Sequence, residues 1–544
     1  MHSTYLNYLT RAAAPHRGQI LLLVAAGVLR VAVSLAIVWA FKLCMDVATG
    51  DVSGSLLLYV LLLAALGAGR IFLNVWSTKL SSLTEVRVAN AMRAALFSDV
   101  LYTRWEELSG LRHGDVLTRL IKDTDDIIKT LVVIFPELVT ALLELSGAFV
   151  LLLVMDWKLA LAVGVILPIL LLLSRPYWIR MKQFALGIKT GESAITTLME
   201  DSLQHRTVVQ AYGRQAHQLD RLNGRQHELT LQVRGRTRAA VGARLLLGLT
   251  FTGGYIGAFI RGVYGIQAGV ITFGTVTALL QLVNHFQRPL FELMRTAPSL
   301  IASHAAVTRL TRLSGMPQEE RLQNQTPHPN ITALKAQNVT FTYADGRDKV
   351  LNNLSLEASR GEMIAVMGAT GAGKTTFIRL LLALLSPQEG ALFLEDASGR
   401  RIPLDVSTRA DFVYVPQGNT LFSGTIRSNL LVGNPEATEE QMQEALRIAR
   451  ARFVLSLPEG LDTPVGSSGT GLSEGQAQRV AIARALLRPG SIFLFDEATS
   501  ALDERTEAEF LTELKAVSAG KIILFITHHP GVAAHCNRIY SLHE

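Results

Sequence analysis

The sequence predicts an α-helical polytopic membrane domain, six transmembrane helices with long cytosolic extensions, followed by an α/β P-loop nucleotide-binding domain. Three observations carry that prediction. Hydrophobic residues make up 49% of the 544 residues and charged residues only 18%, against about 25% charged in an ordinary soluble domain. Every long apolar run lies before residue 315. After it, a short apolar strand pattern runs into a glycine-rich loop and then a helical pattern, the context of a phosphate-binding loop. The length exceeds one ordinary domain, and the composition is neither disordered nor collagenous. Cys44 and Cys536 are the only cysteines, which excludes a disulfide framework and a cysteine-based zinc site.

A bilayer core of about 30 Å needs roughly 20 apolar residues per spanning helix. Six runs qualify: Ile20–Phe41, Ser55–Ser77, Leu131–Met155, Leu159–Ser174, Val241–Gly265 and Ile271–Leu293. The first is too long and too polar inside for a signal peptide, so it is read as retained. Residues Thr4–Gln19 before it are read as an amphipathic elbow at the membrane surface, too short for a peptidase domain. Orientation follows from loop cations. Arg11 and Arg17 precede the first span, Lys79, Arg87, Arg93 and Arg104 follow the second, and Arg175, Arg180 and Lys182 follow the fourth. The other connections are poor in cations, which places both termini in the cytosol. The net charge of +7 is then membrane topology rather than a nucleic-acid footprint, and no nucleic-acid partner is expected.

Residues 1–314 form the membrane domain, 315–330 a polar linker with prolines, and 331–544 the soluble domain on this reading. The two cytosolic connections, Thr78–Thr130 and Arg175–Ala240, contain few helix breakers and are read as continuous helical rods extending the spans.

The strand pattern Glu362–Met367 leads into Gly368, Ala369, Thr370, Gly371, Ala372, Gly373, Lys374, Thr375 and Thr376, a Walker A loop. Its glycines let backbone N–H groups face a phosphate, and the helix N-terminus adds partial positive charge. Lys374 is assigned to the β- and γ-phosphates of ATP and the Thr375 hydroxyl to Mg²⁺. A second strand pattern, Ser491–Phe495, ends in Asp496 and Glu497. Asp496 is the Walker B carboxylate for Mg²⁺, and Glu497 is placed to take a proton from the attacking water. A third, Lys521–Thr527, ends in His528, read as a γ-phosphate contact.

Gly471, Leu472, Ser473, Glu474, Gly475, Gln476, Ala477, Gln478 and Arg479 precede Asp496. This segment resembles the LSGGQ signature of ATP-binding cassette (ABC) proteins. Other matches follow in family order: Tyr343 as the adenine-stacking aromatic, Val415-Pro416-Gln417 as the Q-loop, Ser500-Ala501-Leu502-Asp503 as the D-loop, and Thr527-His528 as the switch histidine. Six spans before one cassette look like a half-transporter of the exporter type, with a B-subfamily-like, type IV fold. Gly114–Leu120 with Asp123, and Met199–Asp201 through Val208–Gly213, resemble that family's two intracellular loops, whose short coupling helices dock on the cassettes.

The resemblance implies a dimer, a homodimer in the first instance with a heterodimer still open. The Walker A loop of one chain and the signature of the other would enclose ATP, with Ser473, Gly475 and Gln476 facing the partner's nucleotide. Gln417 would sense Mg²⁺ and the attacking water. ATP binding would close the cassettes and turn an inward-facing cavity outward, and hydrolysis would reset it. Two departures stand out. Glu474 replaces the first glycine of the signature, so that it either weakens closure through its charge or faces solvent. Ser467 stands where exporters often carry a glutamate, which puts cross-talk with the partner in doubt.

Charges inside spans are costly and face a cavity or a partner. Glu137 and Glu144 share a helical face, as do Gln281, His285, Arg288 and Glu292, with Pro289 as a kink point. Arg30, Arg70 and Arg261 add cations. These residues suggest a mixed-charge pathway, with interhelical ion pairs as the competing reading. The function expected is ATP-driven export of a small amphipathic solute, lipid or peptide across the bilayer. Import of a siderophore-like compound and an ATP-gated regulator or channel are the alternatives.

Overall fold

The computed structural model describes residues 2–111, 113–322, 326–343, 346, 349–369, 371–466, 471–517 and 519–542. Thr370 and Ser467 lie outside the described residues. Two compact units emerge: Met1–Leu101 with Arg112–Gly315, and Tyr102–Leu111 with Met316–Glu544.

The first unit is helical. Its long helices are Arg17–Thr49, Leu56–Leu101, Gly114–Met155, Trp157–Gln204, Gln215–Gln267 and Phe273–Ser314. Among the described residues, four helical runs are long and apolar enough to cross a membrane: Tyr5–Thr49, Leu56–Leu101, Gly114–Met155 and Gln215–Gln267. Trp157–Gln204 adds a shorter apolar stretch at Trp157–Ile166. Phe273–Ser314 carries Gln281, His285, Arg288 and Glu292, which lower its hydropathy. It runs unbroken through Pro289 and Pro298. Leu57, Leu58, Ile71 and Phe72 stand exposed on Leu56–Leu101, as on a helix whose solvent is lipid. Interior packing is made by Val38, Ala148, Leu152, Leu279, Leu282 and Phe286.

Short polar turns hold the helix ends. Asp156 caps Trp157–Gln204 by accepting from the Lys158 and Leu159 amides at 3.0 and 3.2 Å, and it also receives the Arg261 guanidinium at 2.8 Å. Buried Asp46 accepts from the Gly274 amide at 3.0 Å and from Lys42 at 2.6 Å. The N-terminal elbow is a helix, His2–Ala13, and a 3-10 turn, Ala14–His16, before Arg17–Thr49. Tyr5 rests on the last long helix, its hydroxyl 3.3 Å from Ser303 Oγ and its ring beside His304.

The expectation of continuous rods fails in both connections. The first is interrupted after Leu101, where Trp105–Ser109 forms a separate short helix ahead of the Gly114–Asp123 motif. The second breaks at His205, and Arg206–Ala211 is a short helix of its own before Gln215–Gln267. Residues Tyr102–Leu111 belong to the second unit, which a boundary at residue 314 does not anticipate. The Arg104 amide donates to the Pro317 carbonyl at 3.0 Å, and the Glu319 amide to the Tyr102 carbonyl at 2.7 Å. Backbone pairing across distant sequence, absent from any local pattern, decides this.

The second unit has two main sheets. A parallel sheet runs in the order Arg538–Ser541, Met363–Met367, Ile522–Ile526, Ile492–Asp496, Phe412–Val415. Its central strands are buried on both faces, the reason they read as unbroken apolar runs rather than alternating ones. Phe495 stacks on Phe525 with ring centroids 4.7 Å apart. An antiparallel sheet runs Leu351–Ser359, Ile331–Phe341, Glu389–Asp396, Arg401–Pro403. The segment before Ile331 is tied down by Asp411, whose fully buried carboxylate accepts from the His328 amide and lies 2.7 Å from His328 Nδ1. Asp411→Ala leaves that amide without its acceptor, and the expected cost is about 1–3 kcal/mol, read as a lower Tm of the full-length protein in thermal melts.

Candidate nucleotide site

Val366, Ile526 and Asp496 lie side by side in register at the C-terminal ends of three adjacent parallel strands. That edge is where open α/β sheets bind ligands. Met363–Met367 leads to Gly368 and the loop, Ile492–Asp496 to Glu497, and Ile522–Ile526 to Thr527 and His528. Three segments more than a hundred residues apart at the extremes therefore converge because their strands pair.

The loop closes on the helix Lys374–Leu381. Gly373 caps it with φ +86°, and a Cβ there would stand 2.8 Å from the Val350 carbonyl oxygen, so only glycine serves at that position. Gly368 packs against Ala372 and Leu542, Gly371 also takes a positive φ, and Ala372 and Thr376 are buried. Thr375 is exposed at the helix N-terminus. The arrangement places the helix N-terminus and Lys374 together at the loop, the setting of an anion site.

Glu497 is the hub. Its backbone is left-handed, φ +46°, unusual for a residue with a side chain and typical of functional sites. Lys374 Nζ lies 3.2 Å and His528 Nδ1 3.0 Å from Glu497 Oε1, and Gln417 Nε2 donates to Oε2 at 2.8 Å. Lys374 also donates to the Gly368 carbonyl at 3.1 Å. Burial works against the charge on Glu497, but the bonds from His528 and Lys374 outweigh it and hold the carboxyl below its usual range. Asp496 goes the other way: burial raises its pKa, opposed by the hydrogen bond that the Tyr414 hydroxyl donates at 3.3 Å.

Oxygen donors from Thr375, Asp496 and Gln417 suit a hard cation carried in with a nucleotide. Among the described residues no group of three or more His, Cys, Asp or Glu could hold a metal ion by itself.

Tyr343 packs edge-on against Phe341, and its hydroxyl meets Thr376 at 3.1 Å and Arg379 at 2.9 Å. Arg379 in turn lies over the Trp105 ring, 4.2 Å from its centroid, linking the P-loop helix to Tyr102–Leu111. Ser473 caps the helix Glu474–Leu486 through a capping box with Gln476. A Cβ on Gly475 would come within 2.6 Å of the Ala501 carbonyl oxygen. Glu474 is exposed in the first turn, where a negative charge favours the helix.

Tyr414, Arg379 and Trp105 lie outside the motif pattern, and Gln478, within the signature segment, carries no assigned role there. Gln478 donates to the Glu497 carbonyl at 3.4 Å and accepts from the Ala501 amide at 3.3 Å, joining signature, Walker B and D-loop segments. The sole sequence signal for Tyr414 was its place three residues before Gln417 in a buried strand.

In the first unit, Glu137, Glu144 and Arg288 line one cavity with Glu292, Arg30 and Arg70. His285 Nδ1 lies 2.8 Å from Glu144 Oε1. Gln281 is not among the residues lining that cavity.

Two family models match the chain, the ABC transporter transmembrane region over residues 20–290 and the ABC transporter domain over 351–500. A Mycobacterium bovis protein named fatty acid ABC transporter ATP-binding/permease protein is 29% identical over 466 residues, covering 84% of this chain and 72% of that protein. A Rickettsia typhi protein named as an export ATP-binding/permease protein is 27% identical over 537 residues, covering 93% of this chain and 89% of its own length. The solved structure of a bacterial Atm1-family ABC exporter with ATP bound superposes with TM-score 0.84 at 24% identity, over 97% of this chain and 93% of that one, and so shares the fold. The chain is a multi-pass integral membrane protein with its ATPase domain on the cytosolic side. Motif order, strand-edge geometry and these matches lead to one conclusion: the chain belongs to the ABC transporters, an ATP-driven transporter that joins one membrane region to one ATPase domain and shares the fold of an ABC exporter.

Proposed function

We propose that two copies of this chain form a homodimer that exports an amphipathic solute, lipid or peptide by alternating access, each hydrolysis site shared between them. The observation that carries this reading is the convergence of Lys374, Gln417 and His528 on Glu497. A site assembled this fully supports turnover rather than a slow regulatory gate.

Lys374 and the loop amides bind the phosphates, and Tyr343 supports the adenine. Thr375, Asp496 and Gln417 would hold Mg²⁺, which would neutralise phosphate charge. Glu497, ionised because His528 and Lys374 hold its pKa down, accepts the proton of the attacking water. When nucleotide arrives, Lys374 leaves Glu497 for phosphate and frees that carboxylate to act as base. Ser473, Gly475 and Gln476, at the start of a helix, cover the nucleotide of the partner.

The membrane cavity around Glu137, Glu144 and Arg288 supports a polar stretch of the translocation pathway, with His285 bound to Glu144. An amphipathic cargo accords with the name of the Mycobacterium bovis relative. The test is uptake of amphipathic compounds into inverted vesicles carrying this chain alone. ATP-dependent accumulation is expected, whereas flux indifferent to ATP contradicts the reading. Glu137→Gln with Glu144→Gln is expected to abolish stimulation of ATPase by transported compounds, and unchanged stimulation removes both residues from the pathway.

A further inference from the structure

Arg30, Arg70 and Arg288 line a cavity of about 150 Å³ at membrane depth, together with Glu137, Glu144 and Glu292. Three cations facing three anions would ordinarily pair off. Here they do not. Among the described residues Arg30 bonds only to the Asn74 side-chain oxygen, at 3.3 Å, and Arg70 and Arg288 have no hydrogen bond or ion pair. Of the carboxylates, Glu144 is held by His285, and neither Glu137 nor Glu292 is without a partner. Arg70 and Arg288 are both exposed in the single chain.

An unpaired guanidinium in a bilayer span is costly, and such groups persist where a cavity or ligand uses them. Guanidinium groups offer planar forks of donors that match carboxylate and phosphate oxygens two at a time. The three come from three different helices, Arg17–Thr49, Leu56–Leu101 and Phe273–Ser314, so an anion between them would bridge elements that alternating access must move. The cavity has room for a headgroup and not for a whole lipid. Resting on the transport reading above, we infer that the cargo is an anionic amphiphile, its oxyanion head, carboxylate or phosphate, held by Arg30, Arg70 and Arg288.

Four compounds with one dodecyl tail isolate the head: dodecanoate, dodecyl phosphate, dodecyltrimethylammonium and dodecyl maltoside. Binding of each radiolabelled compound is measured on the full-length protein in nanodiscs, corrected with empty nanodiscs. Saturable binding of dodecanoate or dodecyl phosphate, undisturbed by the cation or the sugar, is the expected result, and the tighter of the two identifies the head. Arg70→Gln and Arg288→Gln are each expected to weaken it about tenfold or more, and Arg288→Lys to restore part of the loss. Preferred binding of dodecyltrimethylammonium, no saturable binding of either anion, or anion binding unchanged in both glutamine variants overturns the inference. Should those variants fail to fold, the headgroup series on the unmodified protein decides alone. The transport reading fails separately: ATP-independent flux overturns it whatever the head preference, while ATP-driven flux of a cationic amphiphile keeps transport and overturns only the anion.

Discussion

Glu497→Gln is expected to lower ATPase turnover about 10²–10⁴-fold while leaving ATP bound. The variant keeps the shape of the side chain and its place beside Gln417 and His528, but an amide cannot take a proton from water. Purified in nanodiscs, it should retain nucleotide that the unmodified chain consumes. Turnover within a factor of two of the unmodified protein removes Glu497 as the base. A pH profile adds an independent check. The Glu497 pKa is depressed while Lys374 and His528 both hold it. In the nucleotide-free protein the carboxylate should therefore take up its proton only below the ordinary carboxylate range. The acid limb of turnover, with Lys374 turned to the phosphate, should lie at higher pH than that point. His528→Ala takes away the larger of the two stabilising bonds, so its acid limb should shift to higher pH.

Gly475→Ala carries the second large effect. Its added Cβ meets the Ala501 carbonyl oxygen at 2.6 Å, a backbone atom that cannot swing aside. The signature helix and the D-loop must separate, at an overpacking cost of about 1–3 kcal/mol. If closure over the partner's nucleotide depends on that contact, turnover falls about tenfold or more, yet ATP binding persists, because the chain's own P-loop is untouched. Binding and turnover measured on the same preparation separate the two. Full turnover in the variant removes the signature helix from the rate-determining closure.

The convergence of the candidate nucleotide site was legible in the sequence to an unusual degree, because phosphate chemistry demands particular residues at fixed local spacing. Glycines in sequence, then lysine and a hydroxyl, then a helix, leave few other meanings, and buried strands announce themselves as apolar runs. Hence Lys374, Asp496, Glu497 and His528 could be named before their strands were seen to pair. The long helices were equally plain, since a bilayer imposes one length and one polarity.

What local pattern leaves out is contact between distant segments. Nothing near Trp105 announces that it lies under Arg379, or that Tyr102–Leu111 pairs with the backbone around Pro317. The helical periodicity of both connections carried no sign of the breaks that set Trp105–Ser109 and Arg206–Ala211 apart. Tyr414 and Gln478 owe their roles to neighbours supplied by other strands and turns. In the membrane the sequence alone established that charges sit within spans, while the tertiary structure decided which remain unpaired. Spacing along one helix fixes a face; only the packing of several helices determines whether a guanidinium on that face meets a carboxylate or an open cavity.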